Sequence, residues 1–246
     1  MKVSVIIPIY KVEKFNAITG KGLYAVIDGK EYEAGASGAT IVIDDNGNKI
    51  ITEGSISVPQ GETVNVKDSE GNLTPITQNA GSANGITVSA NGAVEGTAGD
   101  TITVGDGTYT SMDTEDGFGF NVNPETGEIV VTEGDKISVT NGNVTFVNDR
   151  GEKTTVSTTG DKSVDVDNST GTPVVTVPAG GNATIGNGTG SVEVIVPSDA
   201  TESKDIIVKD DGDISVDLEN GDKITIQRNQ GDFYLGNIYL FEVEEA

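Results

Sequence analysis

The chain contains no cysteine, no histidine and no tryptophan. No disulfide can brace it, so a core or a bound ion must supply its stability. The same absences remove structural zinc sites of the usual kind, histidine-based triads and cysteine nucleophiles. Oxygen-ligated ions such as Ca²⁺ or Mg²⁺ remain. Aromatics make up 5% of the residues and hydrophobics 35%, which fits a thin core fed by many short strands better than one thick core. Bases are scarce as well, 15 against 39 acids, giving a formal net charge of −24 spread along 246 residues. That field repels nucleic acid and anionic lipid, because both need a basic footprint. The expectation is no nucleic-acid partner and no membrane partner.

Long apolar runs are missing too. The longest, Val3 to Tyr10, falls well short of the about 20 residues a membrane span needs. Pro8 interrupts it and no small-x-small cleavage site follows, so it makes a poor signal peptide. The chain as written is therefore expected in the cytoplasm, and at the extracellular surface if it is a fragment of an adhesin.

What is abundant is alternation of period two, while helical i, i+3, i+4 spacing never persists. The spacing predicts strands over Val3–Ile9, Leu23–Ile27, Thr40–Ile43, Lys49–Thr52, Thr63–Val66, Ile86–Ser89, Thr101–Val104 and Phe118–Val122. It continues through Glu128–Thr132, Lys136–Val139, Val144–Val147, Thr154–Ser157, Ser163–Val166, Val174–Val177 and Val192–Val196. Asp205–Val208, Ile214–Leu218, Lys223–Ile226 and Phe233–Phe241 complete the set. Glycine and asparagine tolerate positive φ, so Asp44-Asp-Asn-Gly-Asn48, Asn123-Pro-Glu-Thr-Gly127, Asn148-Asp-Arg-Gly151 and Glu219-Asn-Gly-Asp222 read as turns. Asn123 to Gly127 also resembles a sortase sorting signal, but its internal position favours a hairpin, with Gly127 left-handed.

Gly99-Asp-Thr-Ile-Thr-Val104, Gly134-Asp-Lys-Ile-Ser-Val139 and Gly221-Asp-Lys-Ile-Thr-Ile226 repeat one phrase, and Gly134, Gly160 and Gly212 fall at multiples of 26 residues. Residues 50–246 thereby resemble bacterial adhesin-like β-repeat proteins. The expected fold is all-β: a β-solenoid, parallel β-helix-like, with hairpin-type turns. The alternative is a tandem antiparallel β-sandwich. The expected organisation is a single elongated domain over 1–246, with 1–38 as an N-terminal cap and 228–246 as an aromatic C-terminal cap. Phe233, Tyr234, Tyr239 and Phe241 would shield the last open rung.

Val3-Ser-Val-Ile-Ile-Pro-Ile-Tyr10, followed by Ala39-Thr-Ile-Val-Ile-Asp-Asp45, resembles the start of a family 2 (GT-A) glycosyltransferase. The resemblance implies a nucleotide-binding strand and places Asp44 or Asp45 at the nucleotide. It offers Asp165-Val-Asp167 or Asp211-Gly-Asp213 as the metal-binding Asp-x-Asp. Glycine-rich Gly20 to Leu23 and Asp28-Gly29 stand where that family has a long helix. Gly20-x-Gly22-x-x-Ala25 matches a dinucleotide loop in spacing but precedes a strand, which makes it a turn.

Clustered carboxylates at Asp44–Asn46, Asp165-Val-Asp-Asn168 and Asp210-Asp-Gly-Asp213 suggest Ca²⁺. The candidate metal ligands are Asp165, Asp167, Asp210, Asp211 and Asp213, for calcium only. No catalytic residue and no other cofactor is expected. A transferase-like start joined to adhesin-like repeats, with drifting register and no His, Cys or Trp, resembles an artificial, computationally generated sequence. The expected function is that of a β-rich structural protein with no evolved enzymatic activity. A bacterial or phage surface adhesin or stalk module is the alternative, and a glycosyltransferase fragment the third. Self-association through strand edges is the one partner interaction the pattern suggests.

Overall fold

A computed structural model describes residues 15–19, 23–81, 85–112, 118–178, 180–186, 189–195, 203–208, 214–218, 223–226 and 233–236. Every regular element among them is a β-strand, 23 in all, and no helix occurs among the described residues. The expected strand Val3–Ile9 lies outside them, as do Gly20 to Gly22 and most of the 228–246 cap. The chain divides into two compact units, Met1–Ile129 and Val130–Ala246.

In the first unit the long strand Lys30–Ile43 receives three partners, all antiparallel. Tyr24–Ile27 pairs with its first residues, and Phe15–Thr19 and Lys49–Val58 with its second half. The loop between Ile27 and Lys30 is Asp28-Gly29, with φ of 51° and 79°. Two left-handed residues in a row make the two-residue turn whose twist matches that of the flanking strands. Lys49–Val58 then changes partner, its last four residues pairing with Ile86–Ser89. At that crossing Gly54 has φ of 68°, and a Cβ there would collide with the Gly38 carbonyl.

Beyond the crossing, successive hairpins alternate between two ladders. One ladder runs through Thr63–Lys67, Leu73–Ala80, Thr101–Val104 and Gly107–Ser111. The other runs through Ser55 to Val58, Ile86–Ser89, Ala93–Gly96 and Phe118–Val122. Each hairpin therefore pairs with the next but one in sequence. Alternate residues of both ladders turn inward: Val64, Ile76, Ile102 and Tyr109 from the first, Ile56, Val88, Val94 and Phe120 from the second, all buried. The Tyr109 and Phe120 rings meet across the interior, centroids 6.4 Å apart. Each such valine or isoleucine contributes about 1.5–3 kcal/mol by leaving water.

The second unit uses the same alternation with a different ending. Lys136–Thr140, Val164–Asp167 and Val174–Thr176 pair antiparallel, as do Asn143–Val147, Lys153–Thr159 and Asn182–Gly186. Parallel pairs come next, while Ser203–Val208, Ile214–Leu218 and Lys223–Ile226 pair antiparallel among themselves. Val174–Thr176 lies beside Val192–Ile195, Asn182–Gly186 beside Lys223–Ile226, and Val192–Ile195 beside Phe233–Gly236. Asn182 faces Lys223 and Val192 faces Phe233, a step of 41 residues in both ladders. None of the parallel registers uses the 26-residue spacing of Gly134, Gly160 and Gly212.

Three of the longer turns share one construction. In Asp44–Asn48 the Asp44 Oδ1 accepts the N–H groups of Asn46 and Asn48 at 2.9 and 2.8 Å, and Oδ2 accepts Asn48 Nδ2. Asp68–Asn72 closes in the same way, with Asn72 N–H and Nδ2 both 2.6 Å from the Asp68 carboxylate. In Asn148–Glu152 the Asn148 Oδ1 takes the N–H groups of Arg150 and Glu152 at 3.0 and 2.9 Å. A short side-chain acceptor at the first position therefore takes the backbone N–H groups that a turn leaves without carbonyl partners. The expected hairpin turn at Asn123 is present, with Asn123 N–H donating to Glu128 O and Gly127 at φ of 69°.

Candidate functional site

The most perturbed ionisable cluster among the described residues lies in the first unit, around Tyr32. Alternation along Lys30–Ile43 turns Tyr32 inward between Glu31 and Glu33, and none of its surface is exposed. Lys49 opens the adjacent strand, and Glu62 lies just before Thr63–Lys67. The Tyr32 hydroxyl donates to Glu62 Oε2 at 2.8 Å, and Lys49 Nζ reaches the same oxygen at 2.8 Å. The ammonium also sits 5.5 Å from the Tyr32 ring centroid and 3.8 Å from Asp28 in the neighbouring turn. Side chains of Lys49 and Glu62 are only 13% and 18% exposed, so the pair is poorly screened.

The Lys49 ammonium, and then the Tyr32 hydroxyl, hold the Glu62 carboxyl below the usual carboxylate range. Burial, followed by the bond to Glu62, pushes the Tyr32 phenol far above its ordinary value. The tyrosine therefore stays a proton donor and Glu62 stays charged. Tyr32 has no surface with which to meet a substrate, and its hydroxyl is turned onto Glu62. The cluster acts as a clasp between strands, with Asn65 adding an Nδ2 bond to the Lys49 carbonyl at 3.2 Å. The sequence signal for it was slight: an aromatic at an inward position between two acids.

A second buried carboxylate is Asp100, with no exposed surface. Its Oδ2 accepts the Thr97 N–H at 2.6 Å and the Thr97 hydroxyl at 3.2 Å. Gly96 lies against it, where a Cβ would stand 2.8 Å from Oδ2. This carboxylate caps its own turn before Thr101–Val104.

The candidate calcium ligands separate. Asp210, Asp211 and Asp213 lie outside the described residues. Asp165 and Asp167 sit at outward positions of Val164–Asp167, whereas Asn168 turns inward, fully buried, and donates Nδ2 to the Thr132 carbonyl at 2.9 Å. Asp167 is engaged by Lys136 at 2.9 Å and by the Ser169 N–H at 2.9 Å. These contacts hold its carboxyl below the usual range although partial burial opposes them. Among the described residues no group of three or more His, Cys, Asp or Glu side chains converges as a metal centre would require. Asp44, one of the two positions matched to a nucleotide ligand, spends its oxygens on Asn46 and Asn48.

Two glutamates join separate turns by one device that sequence reasoning missed. Glu125 Oε1 accepts the Ser69 N–H at 2.9 Å, and its Oε2 accepts the Ser69 hydroxyl at 3.0 Å. Glu133 Oε2 accepts the Asp149 N–H at 2.9 Å. In both cases the donor is the second residue of a turn of the common construction. Among the described residues no helix is long and apolar enough to cross a membrane. No protein-family model, curated protein or solved structure matches the chain.

Proposed function

We propose that the chain is a β-rich structural protein of artificial type, without evolved enzymatic chemistry. The observation that carries this reading is how its polar chemistry is spent. Lys49 and Glu62 pair their charges and Tyr32 donates to the same carboxylate, Asp100 caps Thr97, and Asp44 and Asp68 close their own turns. Catalysis needs groups free to meet a reacting atom, and these groups face one another instead. The strong negative charge supports a protein that avoids nucleic acid and anionic membranes and stays dispersed.

The finer architecture follows the same reading. Facing antiparallel ladders support a sandwich in the first unit. The equal 41-residue parallel steps support a solenoid-like continuation in the second, with Phe233–Gly236 toward its capped end. Those steps are also what favours the second reading, a surface adhesin or stalk module, with calcium on the Asp210–Asp213 segment.

Calorimetric titration with uridine and guanosine diphosphate sugars, with and without Mn²⁺, tests the main reading. Heat that saturates at one site per chain would put the transferase reading ahead of both others; the expected result is dilution heat alone. A thermal melt in calcium against chelator separates the other two. A rise in Tm with calcium supports the adhesin module, because a ligand held only by the folded state stabilises it.

A further inference from the structure

We propose that the outward face of the four-stranded ladder in the first unit binds ice through a mesh of threonines in register. Cross-strand pairing sets Thr63 beside Thr77, Thr77 beside Thr103 and Thr103 beside Thr108, one threonine on each strand. Two residues along, Thr101 lies beside Thr110 in a second, shorter rank. All six alternate with buried neighbours such as Ile76, Ile102 and Tyr109, and all six are half-buried, keeping part of their surface open.

The spacing suits a crystalline surface. Adjacent strands lie about 4.7–4.9 Å apart and alternate residues on a strand about 6.4–6.8 Å apart. Hydroxyls and methyls therefore form a two-dimensional mesh on the scale of the oxygen repeats of an ice face. Threonine is stiff at χ1, and the array is pinned further. Thr63 and Thr77 share a hydrogen bond of 2.7 Å, Thr101 and Thr110 one of 2.9 Å, and Asn79 Nδ2 donates to the Thr103 hydroxyl. A hydroxyl bonded once keeps capacity for water, and the methyl beside it leaves that water to bond its own neighbours.

Charge marks this face out. The chain has 39 acids, yet the outward positions of these four strands hold none, and Lys67 at one end is their one charged residue. The corresponding ladder of the second unit carries Lys136, Asp165 and Asp167 outward. A neutral polysaccharide is the rival occupant. Sugar rings are gripped by exposed aromatic faces, and the outward positions of this ladder have no aromatic residue.

The test is partition of the full chain into slowly grown ice, with crystal shape and thermal hysteresis read alongside. The expected result is severalfold enrichment of the chain in ice over an albumin control, with faceted crystals. Thr103→Lys should abolish the enrichment, and Thr101→Lys serves if the first variant fails to give the parent circular dichroism spectrum. Thr176→Lys, on the second unit, should partition as the parent does. Exclusion of the parent chain from ice overturns the proposal. So does unchanged partition of a folded Thr103→Lys or Thr101→Lys variant, and so does retention on cellulose or chitin without incorporation into ice.

Discussion

Tyr32 donates its hydroxyl proton to Glu62 across 2.8 Å from a position with no exposed surface, and the same carboxylate oxygen receives Lys49. Three strands that are separate in sequence are thereby tied by one charged group. Removing the tyrosine hydroxyl leaves the ion pair but strips a hydrogen bond from a charged acceptor. Tyr32→Phe is expected to lower stability by about 1.5–3 kcal/mol, read as a fall in the urea midpoint at constant m. An unchanged midpoint would show that the clasp contributes nothing.

Acid should loosen the same place. Glu62 titrates lower in the folded chain than in the unfolded one, because Lys49 and then Tyr32 favour its charged form. Its stabilisation is complete above the unfolded value of about 4.3 and is lost as the pH falls through the depressed folded value. Tm should therefore drop on acidification below that point, and Glu62→Gln should flatten the slope while lowering Tm at neutral pH. Parallel Tm curves for parent and variant between pH 2 and 5 would contradict it.

Glycine substitutions should divide by space, not by φ. Gly47 and Gly54 have φ of 84° and 68°. Nothing stands within 4 Å of a Cβ on Gly47, so Gly47→Ala pays only the left-handed penalty of about 1–2 kcal/mol. Gly54→Ala drives its methyl into the Gly38 carbonyl at the strand crossing and should cost well beyond that. Equal urea midpoints for the two variants would count against the crossing.

The glutamate links between turns are exposed and should act locally. Glu125→Ala is expected to speed hydrogen exchange at the Ser69 amide, and Glu133→Ala at the Asp149 amide, with Tm nearly unchanged. Exchange rates that stay at parent values would remove both links from the account.

Much of the strand set was legible because its signal is local. Ile86–Ser89, Thr101–Val104, Phe118–Val122, Ile214–Leu218 and Lys223–Ile226 stand where alternation places them. Several of the strands that alternation missed carry few large inward residues. Leu73–Ala80 contains Pro75 and turns Gln78 inward, where its Oε1 accepts the Ile86 N–H at 3.2 Å. Pro75 faces Asn65 beyond the last residue paired with Thr101–Val104, so its missing N–H leaves no ladder bond unmade. Gly107–Ser111 buries a glycine and a serine beside Tyr109, Ala93–Gly96 ends on a glycine, and Asn182–Gly186 pairs Ile185 inward only with the small Ala183. Each offers only one large inward apolar residue (Ile76, Tyr109, Val94 or Ile185), too few for alternation to stand out.

By itself the sequence determined that the chain forms strands and where it turns, because alternation and turn chemistry act over two to five residues. Which strands meet was decided only in three dimensions. A ladder bond joins any two backbones alike, so the choice of partner falls to burial and to a few distant polar contacts. That choice sets Leu73–Ala80 against Thr101–Val104, makes the 41-residue parallel steps, and brings Lys49 and Tyr32 to Glu62.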